Sequence, residues 1–219
     1  SGASYSGNDG IAAIYFNADD KIHTYFDSSG TAPYGNVNNR VYRDTTNWYN
    51  IVWAVDAANT VQRIWVNGVE ETLSASLNPP NYDYGMNRAS TAQAFGTAAW
   101  GGSPNFDGYL ANIVHLDGQY LNQNSFGEFK NGVWIPKAIS GLTFGTNGFH
   151  LDFANSSSVG NDISGNNNDY TPTGLAASDV VLDSPTNNFA VLNPLVVSNN
   201  ANDNTFAEGN FCLLYTSDA

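Results

Sequence analysis

Carboxylates are the first side chains to consider, because a pair of them can hydrolyse a glycoside. That reaction needs two carboxyl groups on opposite sides of the scissile bond, about 5–9 Å apart. None of the four glutamates, Glu70, Glu71, Glu128 and Glu208, stands in a Glu-x-Asp-x-x-Glu pattern that would group carboxylates on one strand. We therefore expect no enzyme, and a glycosidase or depolymerase fragment remains the less favoured alternative.

The histidines offer no second route to catalysis. His23, His115 and His150 lie far apart in the sequence, without the spacing of a metal site. No segment has the strand–turn–helix pattern of a nucleophile elbow. We expect all three to occupy ordinary positions on strand faces.

A stretch rich in aspartate and asparagine has the oxygen ligands that calcium prefers. Calcium takes six to eight oxygens from carboxylates, amides and carbonyls. The candidate ligands are Asp152, Asp162 and Asp169. Their spacing is not that of an EF-hand, and Asn/Asp/Gly runs also form plain turns, which is the favoured alternative. Calcium is the one cofactor that the sequence suggests.

Sugar binding needs an exposed aromatic ring beside a few planar polar groups. Two sets of residues meet this requirement, and both stay open. Trp48 and Trp65 would lie on the outward faces of one hairpin, although packing beneath another layer is favoured because Trp is usually buried. The second set is a loop group comprising Tyr82, Asp83, Tyr84, Trp100 and Asn105.

The elements that must position these residues are short strands. Residues 11–16 and 22–26 predict a hairpin around the polar loop 17–21. Alternation over 48–56 predicts a strand with Tyr49, Ile51, Trp53 and Val55 facing the core. The following run, 63–69, places Ile64 and Val66 inward and Trp65 outward, and its Asn67-Gly68 pair is a strong hairpin signal.

The stretch 106–121 has the clearest boundaries. Two Asp-Gly pairs, each typical of a tight turn, bracket the apolar run 109–116, which predicts a central strand buried on both faces. Residues 122–130 predict a short helix with Ser125 or Asn124 as its N-cap. Residues 149–153 alternate, so that Phe149, Leu151 and Phe153 face inward and His150 faces outward.

Composition narrows the class of protein and its partners. The chain has 219 residues, 21 of them Gly and 31 Asn, and this wealth of turn formers favours many short strands. Its net charge of −13 argues against nucleic acid and anionic lipid as partners. No apolar run is long enough for membrane insertion, and the single cysteine, Cys212, excludes an internal disulfide.

Several segments, taken in order, carry a resemblance to one family. They are W-Y-N-I-V-W-A-V-D at 48–56, R-I-W-V-N-G-V at 63–69, F-D-G-Y-L-A-N-I-V-H-L-D-G-Q-Y-L at 106–121, F-G-E at 126–128, N-G-V-W-I-P-K at 131–137, G-F-H-L-D-F at 148–153, D-I-S-G-N-N-N-D-Y-T-P at 162–172, V-L-D-S-P-T-N-N-F at 181–189 and L-N-P at 192–194. This series, within residues 11–211, resembles the concanavalin A-like (laminin G-like) lectin module of bacteriophage tail and fibre proteins.

The resemblance implies an all-β fold, an antiparallel two-sheet jelly-roll sandwich, that binds host-surface carbohydrate without catalysis. It implies a place in the virion tail, outside the cell at the host surface, beside other tail proteins. A structural spacer or assembly module without glycan binding is the alternative. Fibre proteins are often trimers, so a homo-oligomer stays open.

The same resemblance divides the chain. Residues 1–173 would form the lectin-like sandwich, truncated at its N-terminus because such modules usually carry earlier strands, and 174–203 an extended connector. Residues 204–211 would begin a further domain. C-L-L-Y-T-S-D-A at 212–219 resembles translated sequencing-adapter read-through at the end of a metagenomic fragment, so we exclude it from reasoning about the fold.

Overall fold

Antiparallel strands account for nearly all regular structure, so the fold is all-β. The structure, a computed structural model, describes residues 10–27, 34–37, 39–73, 79, 81, 83–87, 91–97, 105–186, 205–207 and 212–214. The strands are β1 (Ile11–Phe16), β2 (Ile22–Asp27), β3 (Tyr34–Val37), β4 (Ile51–Asp56), β5 (Val61–Val66), β6 (Val69–Glu70), β7 (Ile113–His115), β8 (Gly127–Lys130), β9 (Val133–Pro136), β10 (Phe149–Leu151), β11 (Thr205–Ala207) and β12 (Cys212–Leu214).

Helical structure is limited, over the described ranges, to three short 3₁₀ turns. These are Gly85–Asn87, Gln123–Ser125 and Ala177–Asp179. None of them has the length or the apolar character needed to cross a membrane.

Two local hairpins form as the sequence predicts. β1 pairs with β2 from Ile11↔Asp27 to Phe16↔Ile22, and the side chain of Asn17 closes the loop by accepting the N–H groups of Asp19 and Lys21. β3 then pairs with the other edge of β2. Local turn chemistry was enough to predict this hairpin, because Asn side chains favour such turns.

The second hairpin turns at Asn67-Gly68. Both residues have positive φ, 49° and 76°, which is the conformation of a type I′ turn. The resulting sheet has the order β4-β5-β6. Asn50 braces the turn, because its N–H donates to the side-chain oxygen of Asn67 while its carbonyl accepts the Asn67 N–H.

The main core lies between the two three-stranded sheets. Ile22 of β2 packs with Ile64 and Val66 of β5, and all three are almost fully buried. Tyr49, Ile51 and Trp53, predicted as core, pack against this cluster while remaining partly exposed. The predicted inward face of β5 is therefore confirmed.

The opposite face of the β4–β5 hairpin is covered as well. Val52, Ala54 and Trp65 form a buried cluster against Phe126. Alternation places Trp65 on the outward face of the hairpin, and the favoured prediction that it packs beneath another layer is confirmed, since the residue is only 5% exposed. Phe126 lies far along the chain, so the alternation of β5 alone did not reveal this cover.

The β8–β9 hairpin docks on the central sheet through Trp134. Its indole ring lies against Gly68 and Gly127, where an added Cβ would overlap the ring. The indole N–H donates to the side-chain oxygen of Asn50, 3.1 Å away. The Asn67-Gly68 turn thus forms one wall of a slot for a side chain from another hairpin.

Three predictions about the second half of the chain are corrected. The strand predicted over 109–116 is limited to β7, because Asn112 has φ +51°, which no extended strand allows. Tyr109 and Leu110 are exposed instead of buried. The helix predicted over 122–130 is a 3₁₀ turn capped by Asn122 and followed by β8.

β10 confirms the inward positions of Phe149 and Leu151, which are 3% and 1% exposed. His150, predicted to face outward, is buried too. Its backbone carbonyl accepts the Ile163 N–H and its N–H donates to Asp162, so a loop covers this side of β10. At the far end of the chain β11 pairs with β12, and the proposed domain boundaries stay a prediction.

Candidate functional site

Two near-parallel aromatic rings form an exposed surface within the described ranges. Phe16, at the end of β1, and Phe106 have ring centroids 6.5 Å apart and an interplanar angle of 24°. They are 38% and 42% exposed. Tyr42 borders the pair, with its ring edge-on to Phe16 at 6.1 Å. We call Phe16, Phe106 and Tyr42 the aromatic shelf, in which Tyr42 is only 8% exposed and belongs to the main core.

Charged and polar groups border the aromatic shelf on the side of the β1–β2 loop. The Tyr42 N–H donates to the backbone carbonyl of Asp20, and the carboxylate of Asp20 pairs with Arg43 Nε at 2.5 Å. The side chains of Arg43 and Asp20 in this ion pair are 70% and 46% exposed. The guanidinium of Arg40 lies 5.3 Å from the centre of the Tyr42 ring. The shelf therefore combines apolar ring faces with exposed donors and acceptors.

The predicted tryptophan pair does not provide such a surface. Trp65 is buried against Val52 and Ala54. Trp48 is half-buried, and its indole N–H donates to the carboxylate of Asp183 at 2.9 Å. This contact ties the 181–186 segment to the start of the hairpin, so Trp48 has a structural role.

The predicted loop set is only partly described. Tyr82 and Trp100 lie outside the described residues. Asp83 is exposed, whereas Tyr84 is 4% exposed and packs on Phe26. Asn105 is exposed and directly precedes Phe106, so this one member of the set borders the aromatic shelf.

A groove of about 770 Å³ lies elsewhere, between β4 and β7. All six residues of β4 line it, together with Val114 and His115 of β7 and several residues of the 116–121 and 136–139 segments. We call it the edge groove. Its volume falls in the range of small-molecule sites, roughly 300–1,000 Å³.

The predicted calcium ligands each accept hydrogen bonds from within the chain. Asp162 is 6% exposed, and its two oxygens accept from the N–H groups of His150, Ser164 and Asn168 and from the Ser164 hydroxyl. Asp169 accepts the Asp162 N–H, and Asp152 accepts the Ala154 N–H. Within the described part of the chain, no three His, Cys, Asp or Glu side chains group as a metal site.

These four bonds set the protonation of Asp162. Burial alone would raise the pKa of Asp162, but the hydrogen bonds from His150, Ser164 and Asn168 outweigh it and hold the pKa below its usual value. A carboxylate offers about four acceptor positions, so all of them are in use. Calcium could bind Asp162 only by replacing some of these bonds.

Calcium binding at Asp152, Asp162 and Asp169 stays a prediction that melting can test. If the ion binds there, excess chelator should lower Tm by about 5–10 °C, because a ligand at 100 times its Kd stabilises by about 2.7 kcal/mol. Restoring calcium, but not sodium, should recover the midpoint. An unchanged midpoint would reject the site.

The remaining candidates for chemistry are engaged in ordinary contacts. Glu70 pairs with Arg63, Glu71 with Arg40, and Glu128 with Lys130. Glu208 lies outside the described residues. Burial lowers the pKa of both His115 and His150, partly offset by nearby aspartates, and His150 Nε2 lies 3.3 Å from the side-chain oxygen of Asn112.

Sequence reasoning missed Phe16 and Phe106. Phe16 looked like one more apolar residue of a hairpin strand, and Phe106 was grouped with the central strand that follows it. One available signal was their position, since each lies at the end of an apolar run and next to a polar loop. Comparison with family models, curated proteins and solved structures found no match.

Proposed function

We propose that this chain is a non-catalytic, lectin-like module that binds carbohydrate through the aromatic shelf. The exposed, near-parallel rings of Phe16 and Phe106 carry the proposal. The faces of aromatic rings stack on the apolar face of a pyranose, and the adjacent Asp20–Arg43 pair offers hydrogen-bond partners for its hydroxyls. The ligand would be a neutral or basic glycan, because the net charge of −13 repels acidic ones.

The wider setting of the proposal comes from the sequence resemblance. The ordered motifs between residues 11 and 211 favour a concanavalin A-like jelly-roll sandwich in a phage tail or fibre protein, with host-surface glycan as its target. Antiparallel sheets packed through a shared core are compatible with that sandwich. The jelly-roll connectivity and the virion location are part of the proposal.

A glycan array with matched variants tests the binding surface. We expect Phe106→Ala to weaken binding about tenfold, which is about 1.4 kcal/mol, because one stacking face is lost. Tyr120→Ala is the matched control, since Tyr120 is a similarly exposed aromatic, 40% exposed, that lines the edge groove instead. Loss of binding in the Tyr120 variant alone would move the site to the edge groove, and an array without any bound glycan would reject carbohydrate binding.

A structural or assembly role is the second candidate. The observation that favours it is the open outer edge of β4, with which no described strand pairs. Open edges expose backbone donors and acceptors that another chain can pair with. Such a module would bind no glycan on the array and would still associate with other proteins.

A further inference from the structure

The edge groove is lined by β4 and β7, and each of them pairs on one edge only among the described strands. β4 pairs on one side with β5, and β7 pairs on one side with β10. No other described strand pairs with either of them. Residues of both strands line the same groove.

Alternate backbone N–H and C=O groups of β4 point away from β5. The carbonyl of Ile64, opposite Trp53 in the ladder, accepts the Glu71 N–H on the far side of β5, at 2.8 Å. In an antiparallel ladder, opposed residues either bond to each other or both point away. The N–H and C=O groups of Trp53 and of Val55 therefore point away from β5, towards the groove.

The same reasoning applies to β7. The backbone N–H and C=O of His150 bond to Asp162 and Ile163, on the side of β10 that faces away from β7. His150 stands opposite Val114 in the ladder. The backbone groups of Val114 therefore also point away from their partner strand, towards the groove.

The size and lining of the groove match one strand. Each residue of a packed sheet occupies about 3.3 Å along the strand, 4.8 Å between strands and 10 Å between layers, or roughly 160 Å³. A volume of about 770 Å³ thus corresponds to about five residues. All six consecutive residues of β4 line the groove, as expected when an edge rather than one face borders it.

We propose that the edge groove accepts one extended strand of a partner protein, which pairs with β4 on one side and with β7 on the other. Main-chain hydrogen bonds to both edges would provide the affinity, as in other cases of strand addition. Val52 and Ala54 on one face, and Trp53 and Tyr84 on the other, favour small apolar side chains in the donated strand. This inference does not depend on glycan binding at the aromatic shelf.

Charge favours a different protein over a second copy as the donor. Asp56 and Lys137 are the only Asp, Glu, Lys or Arg residues among those that line the groove, so the middle of the donated strand should be uncharged. Two copies of this chain, each with a net charge of −13, repel each other. A strand flanked by basic residues would instead be attracted.

Amide hydrogen exchange with a synthetic strand tests the proposal. The probe is the peptide acetyl-KVTVVTVK-amide, and its control is the same peptide N-methylated at all six central residues, which removes the donors of both edges. In the free protein we expect the amides of Trp53, Val55 and Val114 to exchange about tenfold faster than those of Val52 and Ala54. Millimolar probe should slow exchange of the first three about tenfold, and the N-methylated control should not.

Each other outcome would overturn strand addition. Slow exchange of Trp53, Val55 and Val114 in the free protein would mean that the edges are already covered. No effect of the probe would mean that the groove takes no strand. Equal protection by the N-methylated peptide would show that side chains, and not backbone pairing, determine binding.

A variant of the protein provides an independent check. Val55→Pro removes an N–H that points into the groove and leaves the bonds between β4 and β5 intact, a position where strands tolerate proline. We expect slow exchange at Val52 and Ala54 to persist while protection of Trp53 by the probe is lost. If this variant does not fold, the comparison of the probe with the N-methylated peptide on the unchanged protein still tests whether backbone pairing determines binding.

Discussion

Replacing Gly68 with alanine should destabilise the protein by about 3 kcal/mol, whereas the same change at Gly132 should cost about 1 kcal/mol. Both glycines follow an asparagine in a hairpin turn and have nearly equal positive φ, 76° and 82°. Backbone strain is therefore matched. A Cβ added at Gly68 would overlap the ring of Trp134. A Cβ added at Gly132 would have no other atom within 4 Å.

Urea or thermal unfolding measures the difference. For a chain of this size, 3 kcal/mol corresponds to a Tm lower by about 6–12 °C. The double variant Gly68→Ala/Trp134→Ala should lose much less than the sum of its single changes, because the overlap disappears with the ring. Equal losses at Gly68 and Gly132 would show that Trp134 does not dock against the Asn67-Gly68 turn.

This pair of turns shows what could be predicted from the sequence. The Asn67-Gly68 turn was predictable because Asn and Gly adopt positive φ at low cost, and that preference is local. Its second role, as a wall of the slot for Trp134, requires a contact with a distant hairpin. No local pattern encodes that contact.

The burial of strand faces could also be predicted only in part from the sequence. Ile64 and Val66 were predicted correctly because alternation assigns one face to the core. The same alternation places Trp65 on the opposite face of the strand, where Phe126 covers it. A period of two distinguishes the faces of a strand, but only tertiary structure decides whether both are covered.

The candidate site was less predictable than the fold. Its rings come from the end of β1 and from a loop that follows a long stretch of sequence, so their proximity is non-local. The two tryptophans that the sequence indicated as sugar-binding candidates have other contacts. Trp65 packs in a buried cluster, and the indole N–H of Trp48 donates to Asp183. The sequence predicted an exposed aromatic residue beside polar groups, but it did not indicate the near-parallel pair of Phe16 and Phe106.

Two side chains of the asparagine run 166–168 attach a loop to the segment that leads into β10. The side-chain amides of Asn166 and Asn168 both donate to the carbonyl of Gly148, and they also reach the carbonyls of Gly145 and Thr146. Together with Asp162 they attach the loop to the outer edge of β10. The sequence favoured a plain turn here, and the structure adds that its polar groups bind a neighbouring strand.

Replacing Asp162 with alanine should destabilise the protein by about 4 kcal/mol at neutral pH. The change leaves three backbone N–H groups and the Ser164 hydroxyl without their acceptor in a buried site, and each such loss costs about 1–3 kcal/mol before relaxation. Asp162→Asn keeps one acceptor oxygen and should lose about half as much. Asp152→Asn is the control, because Asp152 accepts only the Ala154 N–H in the bonds described above, and it should change stability by less than about 1 kcal/mol.

The pH dependence of unfolding distinguishes the contribution of the Asp162 charge from that of the side chain's size and shape. Because its pKa in the folded state is below the usual value, the charge stabilises the protein above the ordinary carboxyl pKa, near 4, and that stability is lost as pH falls through the lower, folded value. His115 and His150, whose pKa values burial also lowers, add a loss that begins on acidification below about 6.5. The His115 part is common to the wild type and to Asp162→Asn, but the Asp162 charge also raises the pKa of His150, so the variant loses slightly more stability from His150 on acidification. The gap in unfolding free energy between the two proteins should therefore widen slightly below about pH 6.5 and narrow below about pH 5. A gap that does not change between pH 7 and pH 3 would show that the Asp162 carboxylate is not held ionised by its donors.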